Sequence, residues 1–242
     1  MSALRQPPLY SSPVPVSAGR HHGSRLLPAY SFGFTEAVTS LPLTAAEFPS
    51  ASRDYPIVFT PQSPFSPVCI LGIRDSGNLF VDATGQWQAG AYLPAYVRRF
   101  PFLLMADPAS GGMVLGVEES SGRLSEDQGD RLFEHRQPTP FLNHTLSFCA
   151  DFNRQWDESL EMVQAFHEAG ILVEEDSEVE LSESQSLKLG GFLIIDEARL
   201  DEVDDATFTN WRHRGWLPAL FAHLASRQNW GELARAIEPG AR

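Results

Sequence analysis

Cysteine is scarce: Cys69 and Cys149 are the only two in 242 residues. Each sits in an apolar run, VCILGI and LSFCADF, which predicts buried thiols rather than a disulfide framework. A single bridge between the two stays open on sequence grounds. Positive charge is short as well, with 18 Lys and Arg against 31 Asp and Glu and a formal net charge of -13. That balance excludes general nucleic-acid binding, which needs basic surface to displace counterions. It also excludes electrostatic docking on anionic lipid. It fits solubility or a basic partner. No window holds the run of about 20 apolar residues that a transmembrane helix needs. Prolines interrupt the N-terminal stretch MSALRQPPLYSSPVPVSAGRHHGSRLL before it reaches the apolar length of a signal peptide. The expectation is a soluble cytoplasmic protein without an integral membrane segment. Export by a route lacking a cleaved signal stays open.

Signatures of catalysis are missing too. There is no G-x-S-x-G elbow, no P-loop and no G-x-G-x-x-G after a strand. No cysteine pair has zinc-finger spacing, and no H-x-D or H-x-E frame offers a facial triad. Beyond His21 and His22 the histidines are His135, His144, His167, His213 and His223, and no two of these five stand four residues apart. No metal site and no cofactor are expected.

What is present is enough hydrophobic sequence, 43%, for a core without disulfides or metals. Residues 1–28 are rich in Pro, Ser, Gly and Arg and read as a flexible arm, with His21 and His22 solvated. A single domain is expected over 29–242. Thr44 and Glu47 have capping-box spacing in LTAAEF. YPIVF and PVCILGIR read as strands, the first covered on both faces. NLFVDA and QWQAGAYL read as a hairpin reversing at Thr84-Gly85. Pro94 suits the start of a short helix that stops before Pro101. PFLLMAD and MVLGVEE pair across Gly111-Gly112.

A polar loop is expected over 120–140. A long helix follows, with Leu142, Leu146, Cys149, Asn153, Trp156, Leu160, Val163 and Phe166 on one face and Gly170 just past its end. The acidic run EEDSEVELSES reads as a solvated loop or edge strand, and LKLGGFLII as a further strand. Asp204 or Asp205 caps a helix that Gly215 ends, and amphipathic helices close the chain. The pattern predicts an α+β fold, with a mostly antiparallel sheet of hairpins in the first half, packed by the long central helix and C-terminal helices.

Two groups of residues carry the functional expectations. Trp87, Tyr92, Tyr96, Arg98 and Arg99 form an aromatic and basic segment suited to a protein or peptide partner. The plainer reading of the same residues is core packing, with the arginines paired to Asp75 or Asp82. Asp82, His167 and His223, joined by Arg98, form a dispersed polar set that the fold could bring together. For His167 the plainer role is a cation at a helix C-terminus, and for His223 a core histidine.

YPIVF (55–59), LGI with GNLFVDATGQWQAGAYLPAYVRRFPFLL (71–104), FHEAGIL (166–172), GGFLIIDEARL (190–200) and HLASRQNW (223–230) resemble the SapC-like family of bacterial proteins. Order and spacing match over roughly 30–235. The family's name comes from a surface-layer locus, and many members are accessory proteins encoded near TonB-dependent receptors, oxygenases and halogenase-like proteins. The resemblance implies no catalytic residue. It points to a non-enzymatic accessory protein of a cell-envelope or TonB-linked uptake system that binds a protein or peptide. An enzyme or oxygenase-associated subunit and a surface-layer component are the alternative readings. Oligomeric state is open.

Overall fold

The computed structural model describes residues 7–73, 76–107, 111–182 and 185–236. In chain order, β1 (Val14–Pro15), α1 (Ala18–His21) and β2 (Arg25–Leu26) come first, then β3 (Ser40–Pro42) and α2 (Phe48–Ala51). The sequence continues with β4 (Ile57–Phe59), β5 (Pro67–Ile70), α3 (Ala95–Arg98), β6 (Phe102–Ala106) and β7 (Met113–Val117). Four two-residue strands follow, β8 (Leu124–Ser125), β9 (Asp130–Arg131), β10 (Phe133–Glu134) and β11 (Gln137–Pro138), in the stretch expected to be loop. The second half is α4 (Pro140–Glu168), β12 (Leu172–Ser182), β13 (Gln185–Ile195), α5 (Glu197–Leu200), α6 (Asp205–Arg214), α7 (Leu217–Ser226) and α8 (Asn229–Ala236). The architecture is α+β with antiparallel sheets.

The central helix shows why the sequence folds this way. Thr139 is its N-cap and accepts from the Leu142 amide at 3.2 Å, and Pro140 opens the first turn where no N–H is required. Gly170 stops it in the left-handed region at φ 74°. Its 29 residues span about 43 Å. Leu142, Cys149, Phe152, Ser159, Met162, Val163 and Phe166 are buried along one line. Leu146, expected on that line, is 42% exposed. At about 100° per residue the buried positions centre near Thr145 and Val163, so Leu142 stands at one edge of the face and Leu146 lies just beyond it, toward solvent.

The five-stranded sheet has the order β12-β13-β4-β5-β3. Its register sets Leu193 against Phe59, Ile57 against Cys69 and Leu41 against Cys69. The second half of the chain therefore completes the sheet begun by the first. β12 holds the acidic run at the sheet edge, with Glu183 and Ser184 outside the described residues. α2, α4, α6, α7 and α8 cover the main core, with Phe48, Phe166, Trp211, Leu220 and Leu233 buried in it. A second, smaller core lies around β6 and β7, with Phe102, Val117, Leu132, Leu142 and Cys149. α4 contributes to both.

Two expectations are corrected. The NLFVDA and QWQAGAYL segments make one isolated bridge, Val81 to Trp87, rather than a full ladder. The reversal itself is present: Asp82 Oδ1 accepts from the Thr84 amide at 2.8 Å and the Gln86 amide at 2.9 Å. Gly85 sits at φ 80°, and a Cβ there would lie 1.9 Å from Ser31 Oγ. The supposed arm is the second correction. From residue 7 onward it is docked: β1 extends the β7-β6 sheet, β2 pairs with β8 and β9, and Tyr10 and His21 are buried. Its prolines lower the entropy lost on ordering, and its few apolar side chains find places in both cores. Among the described residues, no helix is long and apolar enough to cross a membrane.

Candidate functional site

The segment 87–99 is organised around a carboxylate that the sequence reading treated only as a local cap. Glu47 is 6% exposed. Its Oε2 accepts from the Thr44 amide at 3.0 Å and the Thr44 hydroxyl at 2.8 Å, which completes the expected capping box. Its Oε1 reaches across the fold and accepts from the Ala95 amide at 2.7 Å and the Tyr92 hydroxyl at 3.0 Å. Four donors satisfy a buried anion and pin the start of α3 to the turn before α2. Burial, and then the Glu47 charge, push the Tyr92 hydroxyl up to about 12. Trp87 joins the same network: its Nε1 donates to Tyr55 Oη at 3.2 Å, and Tyr55 donates in turn to the Tyr92 carbonyl. Arg98 is exposed, donates to Leu93 O at 3.2 Å and lies 5.3 Å over the Phe148 ring.

Arg99 turns inward. It is 8% exposed, and its guanidinium lies 4.2 Å from the Phe152 ring, 4.3 Å from Tyr96 and 5.6 Å from Tyr10. Its Nε has no acceptor. Neither arginine forms an ion pair among the described residues; Asp82 is engaged in its own turn, and Asp75 lies outside those residues. Tyr96 is 2% exposed and donates to Pro8 O at 2.7 Å. The five residues expected to form one partner surface are therefore divided. Trp87, Tyr92 and Arg98 meet at one network near the surface, while Tyr96 and Arg99, three residues apart on the single turn of α3, share its inward face.

The dispersed polar set does not converge. Asp82 belongs to the 82–86 turn. His167 is exposed at the end of α4 and stacks on Phe65 at 4.0 Å. His223 is fully buried and accepts from the Ile195 amide at 3.1 Å. None of these three bonds to another or to Arg98, among the described residues. Nor does any group of three or more His, Cys, Asp or Glu stand ready to hold a metal ion there.

A cleft of about 430 Å³ opens beside the Glu47 turn. One wall is Ala45, Ala46 and Pro49, another is Gln155 and Glu158 of α4, and the third is the α6–α7 junction with Arg214 and Trp216. Ser159 joins two walls, accepting from the Ala45 amide at 2.7 Å and donating to Gln155 O at 2.5 Å. Gly215, at φ 74°, ends α6 and turns Trp216 onto Phe166, 6.3 Å between ring centroids. Arg214 lies 4.5 Å over the indole and donates to Glu161 at 2.5 Å. Small and apolar side chains make up most of the lining, together with an amide, a carboxylate and a guanidinium. Its lining holds no Ser, Cys or His. That chemistry suits a short extended chain lying along the small apolar wall of Ala45, Ala46 and Pro49. Sequence reading missed the cleft because its walls come from three separate stretches, 45–49, 155–158 and 214–219; the helix break at Gly215 was its one visible trace.

A scan against protein-family models matches SapC over residues 16–233. The match starts inside the segment expected to be an arm and to lie outside the resemblance. Comparison with the curated proteins and comparison with the solved structures each give no match.

Proposed function

This chain belongs to the SapC family, and on that premise we propose that it is a non-enzymatic accessory protein of a cell-envelope or TonB-linked uptake system that binds a protein or peptide partner. The cleft beside the Glu47 turn carries the reading. It offers small apolar walls and three polar groups, an amide, a carboxylate and a guanidinium stacked on the buried Trp216, a composition that recognises chain rather than activates a bond. Two further observations support it. Glu47 has all its acceptor capacity spent on four structural donors. His223 spends its free lone pair on the Ile195 amide.

Ala46 is exposed on the cleft wall, so Ala46→Arg fills the opening without touching the core. The test is affinity capture of the chromosomally tagged protein from its own host, wild type beside Ala46→Arg, with mass spectrometry. An envelope or receptor protein recovered by the wild type and lost by the variant supports the reading. Equal recovery by both removes the cleft from it, and recovery of nothing specific under any growth condition overturns it.

A further inference from the structure

Residues 7–16, PPLYSSPVPV, make the contacts of a linear peptide lying in a groove. Tyr10 is the anchor: its ring is 4% exposed, meets Tyr96 and Phe100 edge-on at 6.1 and 5.5 Å, and its hydroxyl donates to Phe102 O at 2.7 Å. Glu118, 2% exposed, clasps the next two backbone amides, those of Ser11 at 2.7 Å and Ser12 at 2.8 Å. Val14 and Pro15 then add to the β7 edge, and the Val16 amide donates to Leu115 O at 2.8 Å. A side-chain anchor followed by main-chain pairing is the logic of β-strand addition. Here the added strand comes from the same chain.

The groove reads little of that chain's identity. Glu118 recognises backbone N–H groups, and β7 pairs with backbone. The tyrosine is the one fully buried side chain of the segment, enclosed by Arg99, Tyr96 and Phe100, while Leu9, Val14 and Val16 are partly buried against the two cores. Arg99 has no carboxylate partner among the described residues, and its nearest groups are aromatic faces, so it serves an aromatic ring rather than an acid. The resident segment also fits imperfectly. Leu9, just before the anchor, is held at φ 73°, a left-handed conformation that a leucine resists.

We infer that this groove is an exchangeable docking site, occupied in cis by residues 7–16, for a non-acidic, extended partner segment with a tyrosine followed by two residues bearing free N–H groups. The inference rests on the reading of the chain as an interaction protein and adds a second docking place, separate from the cleft. An acidic segment is disfavoured because the chain carries a net charge of -13 and because Glu118 lines the groove. Glycine or asparagine before the tyrosine suits the partner better than leucine, since both tolerate the left-handed conformation.

The test is fluorescence anisotropy with a labelled peptide of residues 7–16 and full-length protein. Tyr10→Ala and Val14→Asp each weaken the resident segment and leave the groove walls intact, and circular dichroism checks that they fold. The peptide is expected to bind either variant at least about tenfold more tightly than wild type, where the tethered segment competes at high effective concentration. A peptide carrying Leu9→Gly should gain roughly three- to tenfold, and one carrying Tyr10→Ala should lose binding. Equal or absent binding to wild type and both folded variants overturns the inference. Hydrogen exchange on the wild type tests it without any variant. The Val16 amide should exchange by local opening, well before the Leu103 and Met105 amides of β6, which face β7 in the register; simultaneous exchange rules out a removable segment. Ala46→Arg should leave peptide binding unchanged, so failure at the groove and failure at the cleft are told apart.

Discussion

Arg98 and Arg99 are adjacent and chemically identical, yet the structure gives them opposite duties. Arg98 reaches solvent beside Tyr92 and Phe148. Arg99 is enclosed by three aromatic rings without a carboxylate among the described residues. A desolvated guanidinium over two ring faces stabilises by packing its stem and by cation–π attraction, and its removal leaves a cavity. Arg99→Ala should cost about 2 kcal/mol or more in a denaturant melt, while Arg98→Ala should stay within about 0.5 kcal/mol of wild type. Comparable effects from the two substitutions would contradict the inward placement of Arg99. The sequence shows that this pair is unusual amid apolar text. It does not show which member faces in, because one turn of helix after a proline has too few residues to display a period.

At the scale of elements, α7 is fastened to the sheet by two polar contacts. The Ile195 amide of β13 donates to His223 Nε2 at 3.1 Å, and the Ile57 amide of β4 donates to Ser226 Oγ at 3.0 Å. The first bond requires a neutral imidazole with its proton on Nδ1. Burial, with a smaller contribution from the Arg227 charge, pushes the His223 imidazole down to about 3, while the Ile57 backbone acts the other way. The unfolded chain takes up this proton near the ordinary histidine value of about 6.5, and the folded one does so only near the depressed value. This stability is therefore complete above about pH 6.5 and is lost as pH falls toward 3, at up to about 1.4 kcal/mol per unit. His223→Gln keeps an acceptor and should flatten the profile in that window; an unchanged slope would remove His223 as its cause. The long helix, its Gly170 end, the β6–β7 pair and the Gly215 stop were legible because each is a local pattern. The 78–92 segment was not: its alternation suggested a hairpin, but Trp87 and Tyr92 are held by Tyr55, Glu47 and Asp54 from a distant turn. Long-range hydrogen bonds overrode a local period.

Across the whole molecule, the main surprise is the stretch 7–28. Its composition reads as disorder, since proline and serine bury little, and nothing within the segment indicates where its polar groups find partners. Those partners are Glu118 and Glu119, about 100 residues on: Glu119 pairs with Arg20 at 2.6 Å and with the buried His21 at 3.0 Å. The candidate site was half legible for the same reason. Trp87, Tyr92 and Arg98 could be selected by type, whereas Glu47, Trp216 and the groove along β7 exist only once distant segments meet. The two cores add a consequence of their own. Each holds one free cysteine, Cys69 in the larger and Cys149 in the smaller, and burial raises both thiols, Cys149 to about 11. Neither should react until its own core opens, and each then recovers ordinary thiol reactivity. Because α4 runs unbroken through both cores, the two should become reactive at the same denaturant concentration, read by peptide mapping after pulse alkylation. Cys149 reacting first would mean that the smaller core opens alone. The protein thus carries a matched pair of built-in chemical clocks, one per compartment, and its cooperativity can be timed without introducing a label.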